Sequence, residues 1–284
     1  MSDLAKRFWM GSLLIVCVGL ILAWADHPWL QYVAVGSVGF FTMVALWEYQ
    51  QFAKAKGSRV NTTLLLCLGA VEVLSFFVAA KVPYLRDAPF YGIFFSLLAL
   101  FALHLRQKEG AVLDLATSVF GLLYIAVPLG MFLGVLYDHS LTRGEGCFWA
   151  VYLLVVTKMS DVGAYFGGNL WGRRKLAPSI SPRKTIEGAV SGLIAATGIS
   201  FFFVQLSVFW HPSSPDLGGQ RWLWLGLVLG VMGQFGDLAE SLLKRDVNKK
   251  DSNEFPGLGG ALDAIDSLLF TLPVLYFYLR AMQS

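Results

Sequence analysis

The feature that most constrains this chain is the spacing of its charges, which are bunched between long apolar runs. Phe8–Ala25, His27–Trp47, Ala88–Leu105, Leu115–Tyr137 and Gly188–Pro215 contain no Asp, Glu, Lys or Arg. Four further segments are apolar but interrupted: Val60–Ala80 by Glu72, Gly146–Trp171 by Lys158 and Asp161, Trp222–Leu243 by Asp237 and Glu240, and a shorter final run, Asp266–Leu279. A membrane-spanning helix needs roughly 20 mostly apolar residues, so the pattern predicts an all-α polytopic membrane protein with nine transmembrane helices. Composition agrees: 56% of residues are hydrophobic and only 14% charged, against about 25% charged in an ordinary soluble domain. That excludes a disordered chain, a disulfide scaffold and a soluble globular domain of usual make-up. The Phe8 run is too long, and too closely followed by further spans, to be a cleaved signal peptide.

Basic residues set the orientation, because cytoplasmic loops are enriched in Lys and Arg. With the N-terminus inside, 16 cations fall on the inner side and 5 on the outer, with Lys158 inside a span. The expectation is an N-terminus in the cytoplasm and a C-terminus outside. Trp9, Trp24, Trp29, Trp47, Trp222 and Trp224 lie near span ends, as an interfacial belt requires. Cys17, Cys67 and Cys147 are too scattered for a metal motif and read as small apolar residues. The pairs Gly163/Gly167, Gly188/Gly192 and Gly226/Gly230 have the spacing of close helix contact and read as packing.

The chain divides unevenly. Residues 1–145 form a hydrophobic scaffold with short loops, and residues 146–284 carry the chemistry within one continuous membrane domain. Glu72 and Asp114 in the first part are intramembrane acids without a recognisable partner motif, and a packing or interfacial role suits them better than catalysis.

Three polar clusters follow. The first is Lys158-Met-Ser160-Asp161-Val-Gly-Ala-Tyr165. The second runs from Gly172 to Gly188 and places Arg173, Arg174, Lys175, Arg183 and Lys184 among Ser179, Ser181 and Thr185. Cations that neutralise phosphate oxygens, with hydroxyls between them, suit a polyphosphate; an ordinary positive-inside anchor would carry the charge but needs no such specific string. The third is Asp237-Leu-Ala-Glu240-Ser241-Leu-Leu-Lys244-Arg245. These polar positions share one helix face and must look into protein or a watery cleft rather than lipid. Either a self-neutralising network or a catalytic cleft would satisfy that, and the motif continues as Lys250-Asp251 and Pro256-Gly-Leu-Gly259-Gly260-Ala-Leu-Asp263-Ala-Ile-Asp266. Glycines there let the backbone approach a phosphate. The acids suit Mg²⁺ bridging carboxylates and substrate phosphates. There is no P-loop, and His27, His104, His139 and His211 stand away from the clusters.

At these residues the chain resembles the phosphatidate cytidylyltransferase (CDP-diacylglycerol synthase) family, whose pattern is S-x-x-K-R-x(4)-K-D followed by P-G-H-G-G-x-x-D-R-x-D. The match covers roughly Ser160–Ser267 and departs at Leu258, where the family has His, and at Ala264, where it has Arg; no catalytic duty therefore falls to a histidine. The resemblance implies that the phosphate of phosphatidate attacks the α-phosphorus of CTP, giving CDP-diacylglycerol and pyrophosphate for phospholipid biosynthesis. It implies Mg²⁺ held by Asp237 and Asp263, with Asp161 and Asp266 as further metal-site acids. Among the catalytic residues Lys244, Arg245 and Lys250 would neutralise phosphates, particularly the departing pyrophosphate, and Asp251 would be a further acid at or behind the metal. Ser179, Ser181, Arg183, Lys184, Thr185, Ser241, Gly259 and Gly260 would bind substrate. It further implies a monovalent cation such as K⁺, a homodimer, and a bacterial plasma membrane with the site facing the cytoplasm; no nucleic acid partner is expected. Two other classes remain at this point: a CTP-dependent polyprenol kinase-like enzyme, which would release CDP, and a transporter, which would call for inverted repeats not apparent in the sequence.

Overall fold

The structure is a computed structural model that describes residues 27–105, 109–141, 144–210, 217–249 and 260–283, together with Gly19. The expected Phe8–Ala25 span lies outside the described residues. Among them the chain forms eight helices long and apolar enough to cross a membrane. They are α1 (Leu30–Ala55), α2 (Thr62–Lys81), α3 (Ala88–His104), α4 (Ala111–Tyr137), α5 (Glu145–Trp171), α6 (Ile186–Trp210), α7 (Arg221–Asp246) and α8 (Ala261–Gln283). The protein is a polytopic all-α membrane protein. The final helix is longer than its apolar run, starting five residues before Asp266. Its first turn carries acids that a hydropathy scan rejects and a helix N-terminus favours.

Local chemistry explains several boundaries. Asn61 caps α2 by accepting the Leu64 N–H at 3.0 Å. α4 starts after Gly110, whose φ of +79° suits a residue with no Cβ. Inside α4, Pro128 cannot donate to the carbonyl four residues earlier, and the helix widens into a π turn over Leu122–Ala126 just before it.

The chain forms two compact units. One comprises Met1–Ser140 and Asp246–Ile265, the other Leu141–Arg245 and Asp266–Ser284. In the first, α2 packs on α1, α3 and α4, around Leu46, Leu65, Ile125 and Leu133, all nearly or fully buried. Asp114 is buried in this unit and accepts hydrogen bonds from Ser58 Oγ (2.9 Å) and the Arg59 N–H (2.6 Å), so it clamps the α1–α2 loop. Glu72 is fully buried, beside Gly92 of α3. Phe90, Tyr91, Phe94, Phe95 and Phe101 of α3 are exposed, an apolar surface that suits lipid.

In the second unit the dominant contact joins α5 and α6. It depends on the small residues noted above. A Cβ on Gly188 would stand 2.7 Å from the Ala164 carbonyl oxygen, and one on Gly192 would stand 2.8 Å from that of Ser160. Tyr152 is buried where its hydroxyl and Ser200 Oγ lie 2.7 Å apart, and Ser200 in turn donates to the Trp222 carbonyl. Between α5 and α6 the chain forms a small antiparallel hairpin, β1 (Lys175–Ala177) and β2 (Ser181–Thr185), pairing Lys175 with Thr185 and Ala177 with Ser181. In the sequence this stretch shows as a short, basic, Pro- and Ser-rich segment suited to a polyphosphate, with no strand predicted in it.

Candidate active site

The hairpin is held at both ends. Thr185 Oγ1 accepts the Gly188 N–H at 3.1 Å and so caps α6. The Glu187 carboxylate accepts the N–H groups of Arg173 (3.0 Å) and Arg174 (3.1 Å) at the hairpin's start. At the turn, Arg245 Nε donates to the Ile180 carbonyl at 3.1 Å. The strand that carries Arg183 and Lys184 is thereby fixed against α6 and α7.

Asp237 is presented by α7 where that helix comes close to α8. A Cβ at Gly236 would strike the Asp266 carbonyl oxygen, so the glycine before Asp237 is what permits the approach. Lys184 Nζ lies 2.7 Å from Asp237 Oδ2. One turn along α7 the fully buried Glu240 pairs with Lys244. A buried carboxylate is costly without such compensation. Gln234 donates to the Ala189 carbonyl at 2.9 Å and ties α7 to α6.

Asp161, on α5, belongs to a second set of contacts. Ser267 Oγ donates to Asp161 Oδ2 at 3.2 Å, and Lys158 Nζ lies 3.2 Å from Ser267 Oγ and 3.5 Å from Asp161 Oδ2. Asp266 accepts the Ser267 N–H. Asp161, Asp237 and Asp266 lie within electrostatic range of one another, so the unit concentrates negative charge opposite Lys158 and Lys184. Asp263 stands one turn before Asp266 in α8 and belongs to the first unit.

A cavity of about 480 Å³ opens in the second unit, with Asp161, Asp237, Arg183, Lys184, Thr185 and Gln234 on its walls. Five residues singled out from the sequence thus share one space. Ser181 starts β2, Ser179 is exposed in the hairpin turn, Ser241 is partly exposed on α7, and Gly260 is buried ahead of α8, accepting the Ala264 N–H at 3.2 Å. Lys250, Asp251 and Gly259 lie outside the described residues. The sequence motifs assign no role to Lys158, Gln234 or Ser267. Lys158 and Ser267 bracket the matched motifs, and that position was the available signal.

The model of a family described as the cytidylyltransferase family matches residues 5–282. The chain belongs to the cytidylyltransferase family. It is 34% identical to a phosphatidate cytidylyltransferase of Chlamydia pneumoniae, an alignment covering 100% of this chain and 94% of that protein. It is 30% identical to one from Haemophilus influenzae, over 96% of this chain and 98% of that protein. A third, from Synechocystis, is 30% identical over 85% and 86%. Membership of this family suggests dependence on a divalent cation in general.

Among the described residues no three His, Cys, Asp or Glu side chains converge as a complete protein cage. Mg²⁺ does not need one: it usually keeps waters and binds through one or two carboxylates plus substrate phosphates. Asp161 and Asp237 both line the cavity and supply hard oxygen donors, which fits that requirement.

Proposed function

We propose that this protein is a membrane-embedded phosphatidate cytidylyltransferase that makes CDP-diacylglycerol and pyrophosphate from CTP and phosphatidate. The observation that carries the reading is a cavity lined by Asp161, Asp237, Arg183 and Lys184, in a chain that matches relatives of that name over nearly their full length. A phosphate monoester is largely deprotonated near neutral pH, its second pKa being about 6, so the attacking oxygen of phosphatidate needs no general base. It forms the new bond to the α-phosphorus of CTP as the bond to pyrophosphate breaks. Catalysis then reduces to positioning and charge neutralisation.

Arg183 and Lys184, fixed on the hairpin, meet the CTP phosphates; Ser179, Ser181 and Thr185 add hydroxyls around them. Lys244, Arg245 and Lys250 favour the departing pyrophosphate. Asp161, Asp237 and Asp266 are the acids by which Mg²⁺ would be held, and Asp263 is a further metal-site acid of the motif. When bound, the ion offsets charge on phosphate oxygens. Ser241, Gly259 and Gly260 complete the substrate contacts, and Asp251 belongs to the same acidic motif. In this reading residues 1–145 are the scaffold and residues 146–284 the catalytic region. The protein sits in a bacterial plasma membrane with its N-terminus and site on the cytoplasmic side, as a homodimer assisted by K⁺.

Product identification tests the proposal. Purified protein in phosphatidate-containing vesicles with α-labelled CTP should transfer the label to lipid and release pyrophosphate. Label recovered as CDP, with a phosphate added to lipid, would establish the kinase-like reaction instead.

A further inference from the structure

Glu48 is fully buried within α1, seven residues before its end, and no catalytic motif includes it. Its Oε1 accepts the Ala261 N–H at 2.9 Å and its Oε2 accepts the Leu262 N–H at 2.8 Å. These are the first two residues of α8, and all three lie in the first unit. The opening N–H groups of a helix have no partner within it, and its positive end favours an anion. A cap normally comes from the residue just ahead of the helix. Here Gly259 and Gly260 occupy that place and have no side chain to offer, so the cap comes from 213 positions away.

A carboxylate buried in an apolar span is expensive, and both oxygens of Glu48 accept from the opening N–H groups of α8. Being rooted in α1, it fixes where α8 begins. Asp263 follows Ala261 by two residues and Asp266 comes one turn later, on a rigid helix. A shift of the helix start is therefore a shift of both acids.

We propose that Glu48 is a positioning residue that holds the acids of α8 in register for the reaction. This rests on the assignment of Asp263 and Asp266 to the active site made above. Displacing a reacting group by about 1 Å can cost on the order of 100-fold in rate.

The test compares Glu48→Ala, Glu48→Gln and Glu48→Asp as folded, monodisperse protein, with two readouts. One is hydrogen exchange at Ala261–Asp266 in metal-free protein; the other is the split between kcat and KM. Glu48→Ala should exchange these amides at least about tenfold faster and lose about 10- to 100-fold in kcat, with KM for CTP held within about threefold. Glu48→Gln keeps one acceptor oxygen and should recover part of both effects; it carries the test if Glu48→Ala does not fold. Unchanged exchange overturns the proposal. So does faster exchange with wild-type kcat while Asp263→Asn and Asp266→Asn, assayed in parallel, are inactive. If both of those variants are fully active, the assignment of the acids fails first, and the positioning role falls with it.

Discussion

Lys184 Nζ contacts Asp237 Oδ2 at 2.7 Å, joining the hairpin to α7 where both side chains line the acidic cavity. Both side chains are partly exposed, 24% and 37%. The pair therefore adds little to stability, since ion pairs with access to water contribute at most about 1 kcal/mol. Its value is to hold a cation and a carboxylate ready in one place.

Kinetics should reveal this. Asp237→Asn is expected to lower kcat by at least about 100-fold without loss of folded protein, because it removes a carboxylate from the metal side of the reaction. Lys184→Ala is expected to raise KM for CTP about 10-fold or more, the usual size of a lost hydrogen bond to a charged group. Steady-state rates per folded molecule decide both. Wild-type values for either variant would remove that residue from the site.

Arg245 makes a second link between the same elements, through its Nε–H to the Ile180 carbonyl. Lysine keeps the charge but has no donor at that position. Arg245→Lys should therefore loosen the hairpin turn and raise KM for CTP about three- to tenfold, with kcat within about twofold. If charge alone mattered, both constants would stay at wild type.

Much of this site was legible in the sequence because its chemistry is written as short, dense motifs. Asp161, Arg183, Lys184, Thr185 and Asp237 were singled out before any geometry and share one cavity. Spans were legible because hydropathy acts over whole helices; boundaries were less so, as the early start of α8 shows. Other features depend on contacts far apart in the chain. Nothing around Glu48 in sequence signals that it caps a helix 213 positions later. The hairpin was hidden because three- and five-residue strands rich in Pro, Arg and Lys carry no alternating apolar pattern. Thr185 also has a structural duty the motif does not announce, since its oxygen caps α6.

Packing of α5 on α6 gives a stability prediction with an internal control. A Cβ at Gly188 would meet the Ala164 carbonyl oxygen at 2.7 Å and the Gly168 Cα at 3.0 Å, both backbone atoms that cannot swing aside. Gly188→Ala should destabilise the protein by about 1–3 kcal/mol, seen as a lower unfolding temperature in detergent. Gly198, on the same helix, has nothing within 4 Å of a built Cβ. Gly198→Ala should be neutral or stabilising, because alanine is the better helix former. Equal loss for both would show that the close approach at Gly188 is not what makes alanine costly there.

Asp114 separates structural acids from chemical ones. It is 1% exposed and accepts from both Ser58 Oγ and the Arg59 backbone, while His104 Nε2, at 3.9 Å, is beyond hydrogen-bonding distance. Ser58 Oγ also has Thr117 Oγ1 at 2.8 Å, so loss of the carboxylate falls mainly on the Arg59 N–H. Asp114→Ala should therefore cost about 1.5–3 kcal/mol, the range for a hydrogen bond to a charged group. Asp114→Asn retains an acceptor oxygen and should cost less. Because this cluster fixes the α1–α2 loop rather than any phosphate contact, kcat and KM per folded molecule should stay at wild type in both variants. Thermal unfolding and initial rates measured on the same preparations check this, and a raised KM for CTP without a fall in unfolding temperature would make Asp114 part of the reaction after all.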